Sequence, residues 1–522
     1  MGYLNQSGGV HVSLEKVPKA CLAAVGLAIV ALMAALSGCG SSSSGDEPKL
    51  GGTGYPGVDA ANSREAKGTI DSSNVNELDV AWSLPLTAES TYGSHSSAPV
   101  ILDGIVYSQD LESNVQAIDL ESGEVKWTKN YNDVSQGPNG VVVADGLVLG
   151  ATAKEAFALD QETGKEVWST PLVVQPTGEG IDMAPGYHDG LVYVSTVPLT
   201  ATELYPGGGV GTLWALDAKT GQKKWHFDTV PKDLWGDKKV NSGGGLWQPP
   251  SFDDKGFIYF GTGNPAPYPG APGKPWGSSR PGPNLYTNSM VKLNAKTGKM
   301  EWYYQATPHD IYDWDFQDPP LLIDAGGKEL AVGAGKSGLV VAVDAATGKP
   351  VWKRPVGIHN GHDKDNLYAM KGEYSKIKAG TLYPGVLGGV IAPMATDGKT
   401  IFVPVVNGEA SVSANSELGS GGESTGELVA IDAASGEVQW QQEFASAAFG
   451  APTVVNDLVF VPSFEGSVYA FETASGNEVW AGTLPAAINT SVSIADDMLI
   501  APAGLAGAEG QIPEIVAYEL GG

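Results

Sequence analysis

Apolar and polar residues alternate along most of this chain, in short runs broken by turns rich in Gly, Asp and Asn. One unit recurs: apolar-Ala-apolar-Asp, a small turn ending in Gly, then a short run ending in Trp. It reads VQAIDLESGEVKW to Trp127, AFALDQETGKEVW to Trp168, LWALDAKTGQKKW to Trp225, MVKLNAKTGKMEW to Trp302, VVAVDAATGKPVW to Trp352, LVAIDAASGEVQW to Trp440 and VYAFETASGNEVW to Trp480. Strict alternation is the signature of a strand with one covered face, and the Gly marks a hairpin turn. Upstream of each Trp lies a second turn between apolar runs, as in ILDGIVY, VVADGLVLG and YHDGLVYV. An eighth such turn, IADDMLIA, follows Trp480 and leads to EIVAYEL, where the chain ends without a further Trp strand. The missing strand is NELDVAWSLPL with Trp82, near the other end of the chain. Four strands repeated every forty to fifty residues form a propeller blade. The pattern therefore predicts an all-β, eight-bladed β-propeller over 71–522, with the N-terminal strand completing the last blade so that no long sheet edge stays open. Each repeat Trp is expected to plug the gap between neighbouring blades.

Composition adds a leader and a surface. The run CLAAVGLAIVALMAAL follows Lys16 and Lys19 and ends in LSGC, the layout of a secretory signal of 1–38 rather than of a stable span. LSGC resembles a bacterial lipobox, which implies lipidation at Cys39. The polar, Gly/Ser-rich stretch that follows reads as a flexible tether over 39–70. These features predict a protein anchored by lipid on the extracytoplasmic side of the cell membrane. The formal net charge of -28 argues against nucleic acid and against unaided binding to anionic lipid.

Trp spacing singles out two inserts. Trp225 to Trp302 and Trp352 to Trp440 are further apart than the other repeats, and function on a propeller sits in inserts gathered at one end of the channel. The first insert contains WGSSRPGPNLYTNSM (Trp276 to Met290). Its Pro and Gly content predicts a stiff lid over a pocket.

Three stretches carry a family resemblance: GGGLWQPPSFDDKGFIYFGTGNPAP, RPGPNLYTNSMVKLNAKTGKMEWYYQATPHDIYDWD and GKSGLVVAVDAATG. With the Trp repeats they resemble the quinoprotein alcohol dehydrogenases, eight-bladed propellers that use pyrroloquinoline quinone (PQQ) and calcium. The resemblance implies Trp247 as the floor under the quinone, Asn264 as a calcium ligand, and Lys336 beside the quinone carbonyls. The chemistry suits those roles: an indole face is a platform for a flat ring, an amide oxygen is a hard ligand, and a fixed cation stabilises charge on a reduced quinone. Each residue also has a purely structural reading, Trp247 as core, Asn264 as a turn cap and Lys336 as a solvated turn residue.

The departures matter as well. The family motif RPGDN, whose Asp the resemblance implies to be the general base, reads RPGPN here, with Pro283 in that place. The family's vicinal cysteine pair is absent, a quinone-contacting Glu falls at Ser96, and its calcium-ligating Glu has a counterpart at Glu203 only if a short insertion is allowed. Asp182 lies near another cofactor-contact position. Asp310, Asp313 and Asp315 match structural positions and read as turn-binding. His359, Asn360 and His362 read as a surface loop rather than a metal site. The resulting expectation is a cell-surface, PQQ- and calcium-dependent oxidoreductase, slow or altered for want of its base, acting on an alcohol or polyol and passing electrons to a cytochrome c. The alternative is a non-catalytic propeller resembling the lipoprotein of the outer-membrane assembly machine.

Overall fold

The computed structural model describes residues 52–174, 178–198, 208–506 and 510–521. The signal segment, Cys39 and Glu203 lie outside the described residues.

Eight four-stranded antiparallel sheets follow one another along the chain. Blades 1 to 7 span 100–129, 141–171, 186–228, 251–305, 321–355, 395–444 and 453–483. Blade 8 takes its three inner strands from Ser493–Ala495, Met498–Ala503 and Glu514–Leu520, and its outer strand from Leu78–Pro85 at the other end of the chain. Trp82 lies opposite Ala517 in that pairing. Ring closure is also apolar: Ile101, Val106 and Ile118 of blade 1 pack with Met498, Ile500 and Ile515 of blade 8.

The repeat sequence explains how blades dock. Each turn Gly holds a positive φ, +68° at Gly348 for instance, and lies against the Trp of the preceding blade. A Cβ on Gly348 would stand 2.7 Å from Trp302 Cδ2, so the turn requires glycine both for its backbone and for the close approach. The indole then reaches past the turn. Trp302 Nε1 donates to Ala345 O at 3.1 Å, Trp352 Nε1 to Ala433 O at 2.9 Å and Trp82 Nε1 to Leu120 O at 2.9 Å. The turn itself is fixed by its acid: Asp344 Oδ1 accepts from the backbone N and the hydroxyl of Thr347 at 2.9 and 2.8 Å. The expected plug is thus a hydrogen-bonded one.

The expected tether ends earlier than position 70. Residues 52–70 form a strap across the ends of the innermost strands. Gly54 O accepts from Val143 N at 2.8 Å, Ala60 O from Phe252 N at 2.7 Å, Ser63 O from Thr396 N at 2.9 Å and Arg64 O from Val454 N at 2.8 Å. Glu65–Ala66 adds a parallel strand to blade 7, and Thr69 N donates to Asp496 O at 2.7 Å. Sequence-distant backbone partners, which composition does not reveal, order this Gly-rich stretch.

Candidate functional site

Blade geometry sorts the loops into two ends. Loops entering the innermost strands, and those joining second to third strands, gather at one end of the channel. The Asp-Gly hairpins between first and second strands lie at the other, with the strap. A cavity of about 430 Å³ opens at the first end and runs down the axis to the strap. Trp247, Asn264 and Lys336 all line it. Trp247 precedes the first strand of blade 4, Asn264 follows that blade's second strand, and Lys336 follows the second strand of blade 5. Three positions far apart in sequence are therefore brought together, with the Lys336 ammonium 5.5 Å from the centre of the Trp247 ring.

Carboxylates complete the cluster. Lys336 Nζ lies 2.9 Å from Asp313 Oδ2 and 2.7 Å from Asp315 Oδ2, with all three side chains buried. Lys336 N also donates to Asp315 O at 3.0 Å, and Asn264 N to Asp315 Oδ1 at 2.5 Å. Burial works against the ammonium charge, but Asp313 and Asp315 outweigh it and hold the lysine protonated. Burial pushes Asp313 up to about 8, with Lys336 opposing and Asp315 adding to the rise. One cation thus faces two buried carboxylates. Asp182, also on the cavity wall, is raised to about 8 by burial and by Asp315, and its Oδ1 has no hydrogen-bond partner among the described residues. The buried Ser96 hydroxyl lines the cavity and is likewise unpartnered.

Two expectations are corrected here. Asp313 and Asp315 are not turn-binding residues; they face Lys336. Of the three acids only Asp310 binds its turn, accepting from Tyr312 N at 3.0 Å and Trp314 N at 2.7 Å. Pro283 does not face the cavity: it is exposed and absent from the lining. The physical reason is its neighbour Arg280, a fully buried side chain that anchors the segment away from the axis. Arg280 donates to Asn284 Oδ1 at 2.6 Å and to Asp310 O at 2.6 Å. The stretch Trp276 to Met290 is therefore not a lid. It buttresses the loop of Asp310–Asp315 from behind.

The second insert supports the same loop from the other side. Ile311 N donates to Asn366 Oδ1 at 2.9 Å, Tyr312 OH to Asp365 Oδ2 at 2.7 Å and Trp314 Nε1 to Pro384 O at 3.0 Å. His362 pairs with Asp365 and His359 with Asp363, while Asn360 Nδ2 donates to Thr381 O at 2.7 Å. These are loop-fixing contacts, and no group of three or more His, Cys, Asp or Glu able to hold a metal occurs among the described residues.

Comparison with known proteins agrees with this architecture. The profile of the glucose/ethanol/alcohol dehydrogenase β-propeller domain matches residues 191–357, and that of the outer membrane protein assembly factor BamB matches 63–181, 111–240 and 336–511. The chain is 29% identical over 502 residues to the quinohemoprotein alcohol dehydrogenase of Comamonas testosteroni, covering 81% of this chain and 68% of that one. It is 28% identical over 487 residues to the quinoprotein alcohol dehydrogenase PedH of Pseudomonas putida, covering 79% and 78%. The chain belongs to the PQQ-type β-propellers and is homologous to the quinoprotein alcohol dehydrogenases. The crystal structure of the Comamonas enzyme superposes on this PQQ-type propeller with a TM-score of 0.75 at 25% identity, over 90% of this chain and 80% of that one. Sequence reasoning assigned Trp247, Asn264 and Lys336 to this propeller's cofactor site and also pointed to Ser96 and Asp182, and all five line the cavity. It missed the role of Asp313 and Asp315, which lie in the acidic run HDIYDWD between the two inserts, and it missed Arg64, which the strap carries into the cavity wall.

Proposed function

We propose that this propeller binds PQQ in its axial cavity and oxidises alcohols, with Asp315, the acid of the pair that lines the cavity, as the general base. The observation that carries the reading is the Lys336 ammonium, set over the Trp247 ring and bonded to two buried acids, of which Asp315 lines the cavity. The residues fit the group. Trp247 offers a flat apolar face, Lys336 a fixed positive charge, and the unpartnered Ser96 hydroxyl and Asp182 carboxyl offer polar partners around the rim. When bound, the quinone supplies the redox chemistry by accepting the two electrons and the hydrogen of the alcohol carbon. The chain's own part is to hold the substrate hydroxyl against a carboxylate that takes its proton, while the ammonium stabilises charge developing beside it. Asn264 presents a hard amide oxygen on the same wall, and with Glu203 it would hold calcium. Cys39 lipidation would hold the enzyme at the outer face of the membrane, with a cytochrome c as electron acceptor.

Because Pro283 is exposed and outside the lining, this reading puts the base at Asp315 rather than at position 283. Calorimetry and absorbance with PQQ and calcium, followed by dye-linked oxidation of primary alcohols, test the proposal. Binding and turnover are expected in the parent. Asp315→Asn should lower the rate by about two to four powers of ten, and Pro283→Asp should leave it unchanged. A protein that ignores PQQ at high micromolar concentration would be a non-catalytic scaffold instead. That second reading is favoured by the assembly-factor profile, which matches more of the chain than the dehydrogenase profile does.

A further inference from the structure

The cavity has two cations on its wall, and they are treated differently. Lys336 is held by two carboxylates. Arg64 is 5% exposed, and its Nε has no hydrogen-bond partner among the described residues. The opposite charge that acts on it is the buried Asp318, whose own Oδ2 is likewise unpartnered among the described residues. Asp318 Oδ1 accepts from Gln317 Nε2 at 2.9 Å. Burial lowers the Arg64 guanidinium to about 10, with Asp318 only partly opposing, so it stays charged at neutral pH.

A buried guanidinium whose Nε makes no hydrogen bond is costly unless something else satisfies it. The backbone shows that the position is imposed. Arg64 has a φ of +57°, uncommon for a non-glycine residue. Its N donates to Gly57 O at 3.0 Å and its O accepts from Val454 N at 2.8 Å, so the strap fixes it from both sides. On one flank Asn62 Nδ2 donates to Pro250 O and Ser251 Oγ, both at 3.0 Å. On the other, Glu65 and Ala66 pair with Val454 and Val455. The strap thus carries one cation to the channel and aims it at the cavity from the end opposite its mouth.

We infer that Arg64 is an anion-recognition residue at the inner end of this cavity, taking a carboxylate of an organic ligand whose flat ring stacks at Trp247. The planar fork of a guanidinium matches a carboxylate in a bidentate way that an ammonium does not. The inference rests on the proposed function in so far as PQQ, a planar polycarboxylate, is the ligand; the placement of the cation does not depend on it.

The test uses the mature chain with Arg64→Gln and Arg64→Lys, and three probes followed by calorimetry and thermal shift: PQQ, pyridine-2,6-dicarboxylate without calcium, and the neutral pyridine-2,6-dicarboxamide. The parent is expected to bind PQQ and to prefer the dicarboxylate over the dicarboxamide. Arg64→Gln should weaken PQQ at least tenfold and abolish the preference, and Arg64→Lys should restore it in part. Equal PQQ affinity in the parent and Arg64→Gln would overturn the inference and leave the proposed function standing. Arg64-dependent dicarboxylate binding in a protein that ignores PQQ would support the inference and overturn the proposed function. Should Arg64→Gln fail to fold, the parent alone decides, because equal affinity for dicarboxylate and dicarboxamide overturns the inference.

Discussion

Lys336→Gln tests the charge balance on which the site depends. The parent has one ammonium within 2.9 Å of two carboxylates, and the exposures of the three side chains are 10%, 10% and 4%. Removing the cation leaves two acids buried side by side. Breaking a buried ion pair by deleting one partner costs about 3–5 kcal/mol, most of it from the uncompensated charge that remains. The acids have an escape, which is to take up protons. Burial already raises Asp313 to about 8 with the lysine pulling it down; without Lys336 it moves higher still. A carboxyl raised in the folded state binds more protons there than in the unfolded chain, so its folded form gains as pH falls. The loss caused by Lys336→Gln should therefore be near its full size at pH 8 and smaller at pH 5. Urea unfolding of parent and variant at the two pH values measures it, with the midpoint and slope read separately. A variant within 1 kcal/mol of the parent at pH 8, or a loss that grows on acidification, would refute the reasoning.

Two further outcomes follow from the same coordinates. Gly104→Ala, at φ +74° with nothing within 4 Å of the new Cβ, should cost about 1 kcal/mol from backbone strain alone, whereas Gly348→Ala, at φ +68° with Trp302 at 2.7 Å, should cost about 2–4 kcal/mol in thermal or urea unfolding. His95 is fully buried, and burial lowers it from 6.5 to about 4; the unfolded chain then binds the extra proton, so about 3 kcal/mol of stability present above pH 6.5 should be lost as pH falls toward 4, and His95→Asn should flatten that slope.

The blades were legible in sequence because one chemical problem is solved seven times around the ring. A Trp needs a glycine turn to lie on and a carbonyl to bond, and the spacing of Gly and Trp records both. The cavity was legible only in part. Trp247, Asn264 and Lys336 stand in motifs whose letters survive alone. Asp313 and Asp315 were read as turn acids because acids in loops usually are; Asp310, in the same run, is one. What separates them is Lys336, more than twenty positions away. Pro283 misled for the converse reason. Its place in a motif suggested a role, while the buried contacts of Arg280 and Asn284 turn that segment outward. Arg64 was hidden by composition, since a Gly-rich stretch looks like a tether until its backbone partners are known.

The seam of the ring shows why the strap matters beyond the cavity. Each blade interface but one sets a Trp on the glycine turn of the following blade. The exception is Trp480, because the third strand of blade 8 runs to Leu520 near the chain end and its fourth arrives from Leu78–Pro85, so no turn joins them. Trp480 instead meets Tyr518 edge-on, with ring centres 5.6 Å apart and an interplanar angle of 89°. An aromatic edge contact contributes about 0.5–1.5 kcal/mol beyond its buried area, but it does not tie the backbones together as a turn does. The strap supplies that tie. Asn456 Nδ2 of blade 7 donates to Ile70 O at 2.8 Å, Ser72 Oγ to Asp457 Oδ2 at 2.6 Å, and Ile70 and Val75 are fully buried between blades 7 and 8. The segment that aims Arg64 at the cavity therefore also clamps the interface where the repeat runs out, which couples the inner end of the site to the closure of the ring.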